Sequence, residues 1–217
     1  KSVKTLAEER IVVAMASSTC GRRITETSWR SPPLARFGTC GTALTSTTLN
    51  CVITAIGVAV KDLMIPTGTW TLTANVTIPR NITTSVAPGA LLETSGGNLV
   101  INGPFNCGPA QHCLKKTSGT ITFGVGTVKE VTLENFGAIA DGTTDNTVTG
   151  QAAFASSAGQ IRLLEGTYLG NWTIDSGDLS IIGQGDTSVL KTATTSPVLT
   201  VTVTESANGT GRRYQHF

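Results

Sequence analysis

Two acidic side chains, Asp141 and Asp145, stand in the stretch NFGAIADGTTDNT, residues 135–147. Three chemistries are open to such a run: a metal loop, a catalytic acid cluster, or the capped lead-in to a helix. The stretch lacks the D-x-D-x-D-G order and the terminal Glu of an EF-hand calcium loop. Gly142 permits a tight turn, and Asp145 or a neighbouring Thr can accept hydrogen bonds from the first N–H groups of a helix running through Val148, Ala152 and Ala155. Asp141, Gly142 and Asp145 are therefore read as turn and cap residues, and no metal or other cofactor is expected.

The candidates for catalysis lie further on. Asp175 and Asp178 are close in sequence and could supply the two carboxylates that a glycosidase sets on either side of a sugar bond. Asp is also a common turn former, so a purely structural use is the alternative. A lyase would need a Lys or Arg base beside grouped acids, a constellation the sequence does not spell out. Trp70, Tyr168 and Trp172 could stack against sugar rings as a carbohydrate-binding surface, or could be packing residues. The cysteines are Cys20, Cys40, Cys51, Cys107 and Cys113, an odd set with no CxxC spacing. That argues against a zinc ribbon or a redox dithiol. Cys107 and Cys113 flank Gly108-Pro109, so a local disulfide or two free loop thiols are both open. His112 between them would leave a metal set incomplete.

Composition narrows the frame that must position these groups. Of 217 residues only 14% are charged and 5% aromatic, with 24 Gly and a wealth of Thr, Ser and Asn. This favours short strands and turns over long helices. A net charge of +2 with no basic run gives no reason to expect nucleic acid as a partner. The longest apolar runs, 11–16 and 55–60, fall well short of the ~20 residues that cross a bilayer, so no membrane association is expected.

Residues 1–60 differ from the rest. Val3, Leu6, Ala7, Val13 and Ala14 recur at near-helical spacing, predicting a short helix. The stretch SWRSPPLARFGTCGTALTSTTLN, with Pro32-Pro33, predicts extended irregular chain, and 1–60 as a whole an arm that gains order on a partner. From Leu63 onward the chain breaks into short alternating pieces: 76–78, 99–101, 121–123, 131–133, 161–163, 172–174, 179–181 and 201–203. Each is shorter than a typical sandwich strand, which points to a solenoid of parallel strands. Residues 65–94 also repeat in 163–192: Gly68-Thr69-Trp70 matches Gly166-Thr167-Tyr168, and Asn75-Val-Thr-Ile78 matches Asn171-Trp-Thr-Ile174.

NFGAIADGTTDNT followed by VTGQAAFASSAGQIRLLEGTYL resembles the opening segment of the pectate-lyase-like, right-handed parallel β-helix superfamily, which includes polysaccharide hydrolases, lyases and many bacteriophage tailspikes and fibres. Residues 65–138 are similar to the short β-helical lead that precedes this segment in phage-type proteins. Gly150, Glu165 and Asn146 depart from the family pattern, where an apolar residue, Pro and Asp are usual. The resemblance implies an all-β chain: a short right-handed parallel β-helix with one short helix and an extended N-terminal arm. The expected divisions are 1–60 for the arm, 61–134 for the first β-helical lead and 135–217 for the opening segment. The expected role is a virion structural protein of a tailed bacteriophage, a tailspike, fibre or decoration protein rather than an enzyme. It would be virion-borne or extracellular, assemble as a homotrimer, dock on other virion proteins through 1–60, and contact cell-surface polysaccharide. The alternatives are a secreted polysaccharide hydrolase or lyase and a non-catalytic carbohydrate-binding module.

Overall fold

The computed structural model describes residues 10–12, 43–175 and 179–202. In chain order these residues form β1 (Arg10–Val12), α1 (Ser46–Ile56), β2 (Lys61–Ile65), β3 (Gly68–Leu72), β4 (Val76–Ile78), β5 (Ile82–Val86), β6 (Ala90–Thr94), β7 (Leu99–Ile101), β8 (Phe105–Asn106), β9 (Leu114–Lys116) and β10 (Ile121–Phe123). After them come β11 (Val131–Thr132), β12 (Asp141–Asp145), α2 (Thr147–Phe154), β13 (Gln160–Arg162), β14 (Gly166–Leu169), β15 (Trp172–Ile174), β16 (Ser180–Ile182), β17 (Ser188–Lys191) and β18 (Leu199–Val201). The class is all-β: strands dominate and the described residues hold two short helices.

Among the described residues every strand pairing is parallel, and no strand pairs with its neighbour in sequence except at β1–β2. β2, β5 and β8 form one sheet behind β1, β3, β6 and β9 a second, and β4, β7 and β10 a third. The pattern resumes as β11-β13-β16, β12-β14-β17 and β15-β18. Alternation within each strand explains the arrangement. In Val76-Thr-Ile78 and Leu99-Val-Ile101 the outer two side chains are buried and the middle one is not, so stacking in register builds continuous apolar columns. Between strands, side-chain amides tie one layer to the next: Asn75 Oδ1 accepts from Asn98 N (2.9 Å), and Asn98 Oδ1 from Thr120 N (2.9 Å).

The predicted repeat has a physical counterpart. Gly68 (φ 124°) and Gly166 (φ 128°) open β3 and β14 in the backbone region that side chains avoid. Two residues on, Trp70 and Tyr168 are fully buried, and each ties its polar atom to the backbone four residues before it. Trp70 Nε1 donates to Pro66 O (3.2 Å), and Leu164 N donates to Tyr168 Oη (3.0 Å).

The N-terminal expectations need correction where the structure describes them. Arg10–Val12, within the predicted helix, is a strand whose register is Arg10 opposite Asp62. Residues 46–50, read as irregular, begin α1. Thr45 caps it by accepting from Thr48 N, and Leu49, Val52 and Ile56 are buried over β3 and β4. Burial of an apolar face outweighs the poor helix propensity of Ser, Thr and Asn there. The second half of the expected arm thus contributes to the chain's own core. Two late strands also shift: β16 begins at Ser180 and β18 ends at Val201. No helix among the described residues is long and apolar enough to cross a membrane.

Candidate functional site

The opening stretch is built between two buried asparagines, Asn135 and Asn146, which are 4% and 1% exposed. Asn135 lies in the 3-10 turn Glu134–Phe136 that follows β11. Its Oδ1 accepts from Thr132 N (3.0 Å), and its Nδ2 donates to Gly108 O (2.8 Å) and Gln111 O (3.0 Å). It therefore pins the loop 107–113 from beneath. Cys107 and Cys113 are bridged across that loop, Thr132 Oγ1 donates to Pro109 O, and Gln111 Nε2 donates to Ala87 O (2.7 Å). His112 packs over Gly137, so closely that a Cβ at 137 would lie 2.6 Å from its Nε2. Burial holds the His112 imidazole below its ordinary pKa. Cys51 is disulfide-bonded as well.

Asn146 acts in the same way further along the opening stretch. Its Oδ1 accepts from Ile139 N (2.8 Å) while its Nδ2 donates to Ile139 O (2.9 Å) and Thr144 O (2.9 Å). Its own backbone O accepts from Trp172 Nε1 (3.1 Å) and Gly150 N (2.8 Å). One side chain thus closes the loop 139–146, and one carbonyl seats both α2 and the indole.

The two aspartates serve the same loop from outside. Asp141 Oδ1 accepts from Thr143 N (2.8 Å) and Thr144 N (2.7 Å), and its Oδ2 from Thr144 Oγ1 (2.7 Å). These bonds, the Thr144 N–H first, hold the Asp141 carboxyl far below the usual carboxylate range. Asp145 Oδ1 accepts from Thr147 N (2.8 Å) at the head of α2, and the Thr147 hydroxyl and N–H together lower its pKa too. The helix N-cap is Asn146, whose side chain is occupied elsewhere, so Asp145 ties the first turn from one position earlier. Gly142, with φ 73°, makes the turn between them.

A depressed carboxyl pKa contributes stability above the ordinary value of about 3.9 and loses it as the pH falls toward the folded-state value. Asp141→Asn keeps an acceptor but no charge. Its melting temperature should lie below that of the parent at neutral pH, and the gap should close on acidification. Identical melting curves for the two proteins across that pH range would show that the turn does not depend on the carboxylate.

The proposed sugar-stacking aromatics are a correction. Trp70 and Tyr168 are 0% and Trp172 is 2% exposed. Their faces are spent on protein: Trp172 meets the Phe154 ring edge-on at 5.9 Å, and a Cβ at Gly150 or Gly170 would fall 2.3 or 2.4 Å from its indole. A ring enclosed by backbone has no face left for a sugar. Gly150, where the family pattern has an apolar residue, is where Trp172 needs space. Tyr168 Oη donates to Glu134 Oε1, and burial, with Glu134 second, raises the phenol pKa above its ordinary value. Asp175 is exposed after β15, and Asp178 lies outside the described residues. Among the described residues no three His, Cys, Asp or Glu side chains gather as a metal set.

One concavity of about 470 Å³ opens at the far end of the stack, lined by Leu163, Ile181, Gly183, Gly185, Ser188, Leu190, Val198 and Leu199. It is apolar and belongs to the last three strands, away from the opening stretch. Comparison with family models, curated proteins and solved structures finds no match to this chain.

Proposed function

We propose that the stacked sheets form a short right-handed parallel β-helix of the pectate-lyase-like kind and that the chain is a structural protein of a tailed-phage virion, a tailspike, fibre or decoration component. The right hand follows from the strong preference of parallel crossover connections. The observation that carries the structural role is the use made of the opening stretch. Asp141, Asp145, Asn135 and Asn146 all hydrogen-bond to backbone groups of the chain itself, as scaffold residues do. In this reading the chain assembles flank to flank as a homotrimer, attaches to other virion proteins through residues 1–60, and meets cell-surface polysaccharide outside the cell with an outer face rather than with its buried aromatics.

Light scattering on the purified chain, combined with an assay for new reducing or unsaturated sugar ends on acidic polysaccharide, tests the proposal. A mass that is a multiple of three chains without cleavage is expected. A stable monomer that cleaves the polysaccharide would replace the proposal with a hydrolase or lyase, and a monomer that binds without cleaving would replace it with a carbohydrate-binding module.

A further inference from the structure

Cys107 directly follows β8 and Cys113 directly precedes β9, and the loop between them is held by bonds that do not pass through sulfur. Asn135 Nδ2 donates to Gly108 O (2.8 Å) and Gln111 O (3.0 Å), Gln111 N donates to Gly108 O (2.9 Å), and Gln111 Nε2 donates to Ala87 O (2.7 Å). Thr132 Oγ1 donates to Pro109 O. Cys113 is fixed by its own backbone: its N–H donates to Asn135 O (3.1 Å), and its carbonyl accepts from Leu92 N in β6 (2.9 Å). The loop therefore keeps the two cysteines side by side when both are thiols.

The two sulfurs differ in access. Cys113 is 0% exposed and belongs to the core, whereas Cys107 is half-buried. Cys107 Sγ also lies 3.5 Å from Asn135 Nδ2, a donor, and 3.5 Å from Gln111 O, an acceptor. A thiol at 107 thus has a carbonyl for its hydrogen, and a thiolate has an N–H beside its charge.

We propose that Cys107 and Cys113 form a redox switch that closes after the chain has folded, with Cys107 as the attacking thiol and Cys113 as the resolving one. The oxidant is a small-molecule disulfide such as oxidised glutathione, which reaches Cys107 from solvent. The Cys107 thiol gives its proton to water, and the thiolate attacks one sulfur of the oxidant. A mixed disulfide forms and one small thiolate leaves. Cys113, deprotonated in turn, attacks Cys107 Sγ, the mixed bond breaks, and the second small thiolate departs. Two thiols of the chain become one disulfide, two electrons pass to the oxidant, and its two thiolates take up the two protons released. The closed bond ties the end of β8 to the start of β9 where Asn135 fastens them to the opening stretch. That junction is locked under oxidising conditions and held by hydrogen bonds alone under reducing ones.

The switch does not rest on the virion reading. The full chain, reduced with a dithiol and then exposed to oxidised glutathione, tests it through acid quenching and mass mapping. Trypsin releases both cysteines on the peptide 81–115, apart from Cys20, Cys40 and Cys51. A mixed disulfide should appear on that peptide first and give way to the internal bridge. Cys113→Ala should accumulate the mixed disulfide at about the parent's rate, whereas Cys107→Ser should react only as fast as the core opens. The double variant Cys107→Ser with Cys113→Ala should keep the strand-type circular dichroism spectrum and melt cooperatively below the oxidised parent. Loss of that spectrum in the double variant overturns the proposal, because the bridge would then be a requirement of folding. A melting temperature equal to that of the oxidised parent also overturns it, since closing the bond would change nothing. A Cys113 that reacts in Cys107→Ser as fast as Cys107 does in Cys113→Ala overturns the order of attack.

Discussion

Trp172→Ala is expected to be the most damaging single truncation in the described chain, costing about 3–5 kcal/mol of unfolding free energy. The indole is 2% exposed and lies between Gly150 of α2 and Gly170 before β15, with Phe154 at its edge. Removing it leaves a void between a helix and a sheet, and neither side has a side chain at those glycines to fill it. It also takes the indole N–H from Asn146 O, which keeps its bond from Gly150 N. Trp172→Phe should fall well short of that cost, because it retains most of the ring and loses one hydrogen bond, a net ~0.5–1.5 kcal/mol. Urea unfolding of both variants checks the order. An alanine variant within about 1 kcal/mol of the parent would mean that the helix closes onto the sheet without the ring, as cavities that collapse well do.

Trp172 also shows where the sequence was legible and where it was not. The strand pieces could be read because Val-Thr-Ile and Leu-Val-Ile place apolar groups at the two positions that share a face, a local property of three residues. Gly68 and Gly166 were legible as repeat marks, since each holds a backbone angle that few other residues adopt. The partner of a buried aromatic is not local. Gly150 reads as a poor helix residue and Trp172 as a candidate sugar platform until the fold brings them within contact. The only available signal was the pairing of a large residue with two small ones.

Helix α1 was hidden for a related reason. Thr45-Ser46-Thr47-Thr48 is unfavourable as a helix interior but good as a helix start, and Leu49, Val52 and Ile56 then supply an apolar face. The Pro- and Gly-rich residues before it masked the change in period. The asparagines were missed because their value lies in geometry. An amide that accepts from one backbone N–H and donates to two carbonyls resembles, in sequence, any turn asparagine. Asn146 reads as a departure from an Asp in the family pattern, and in this fold the amide is the group that fits.

Asn146→Asp tests that reading through its pH dependence. The side chain is 1% exposed and donates to Ile139 O and Thr144 O while accepting from Ile139 N. A carboxylate in its place could still accept from Ile139 N, but it would face two carbonyl oxygens with no donor. Burial and those two dipoles both disfavour the charged form, so the introduced acid must have a folded-state pKa above its ordinary value of about 3.9. The sign follows from linkage: the folded state holds the extra proton more tightly than the unfolded state, and stability falls as the pH rises through that interval. Near neutral pH the cost should be roughly 3–5 kcal/mol, the range for an uncompensated buried charge. It should shrink on acidification, because the protonated acid regains one donor for one of the two carbonyls. The contributions of Asp141 and Asp145, lost as the pH falls, are common to both proteins and cancel in the comparison, which leaves the introduced acid to set the gap. The two unfolding curves should therefore converge from about pH 7 to about pH 4. Asn146→Ala is the control: it strips the same backbone groups of their partner but adds nothing that titrates, so the groups at 139 and 144 lose their bonds equally at every pH. A constant gap between parent and Asn146→Asp, parallel to that of the alanine variant, would show that the amide donates to neither carbonyl and that the loop 139–146 is closed by something else.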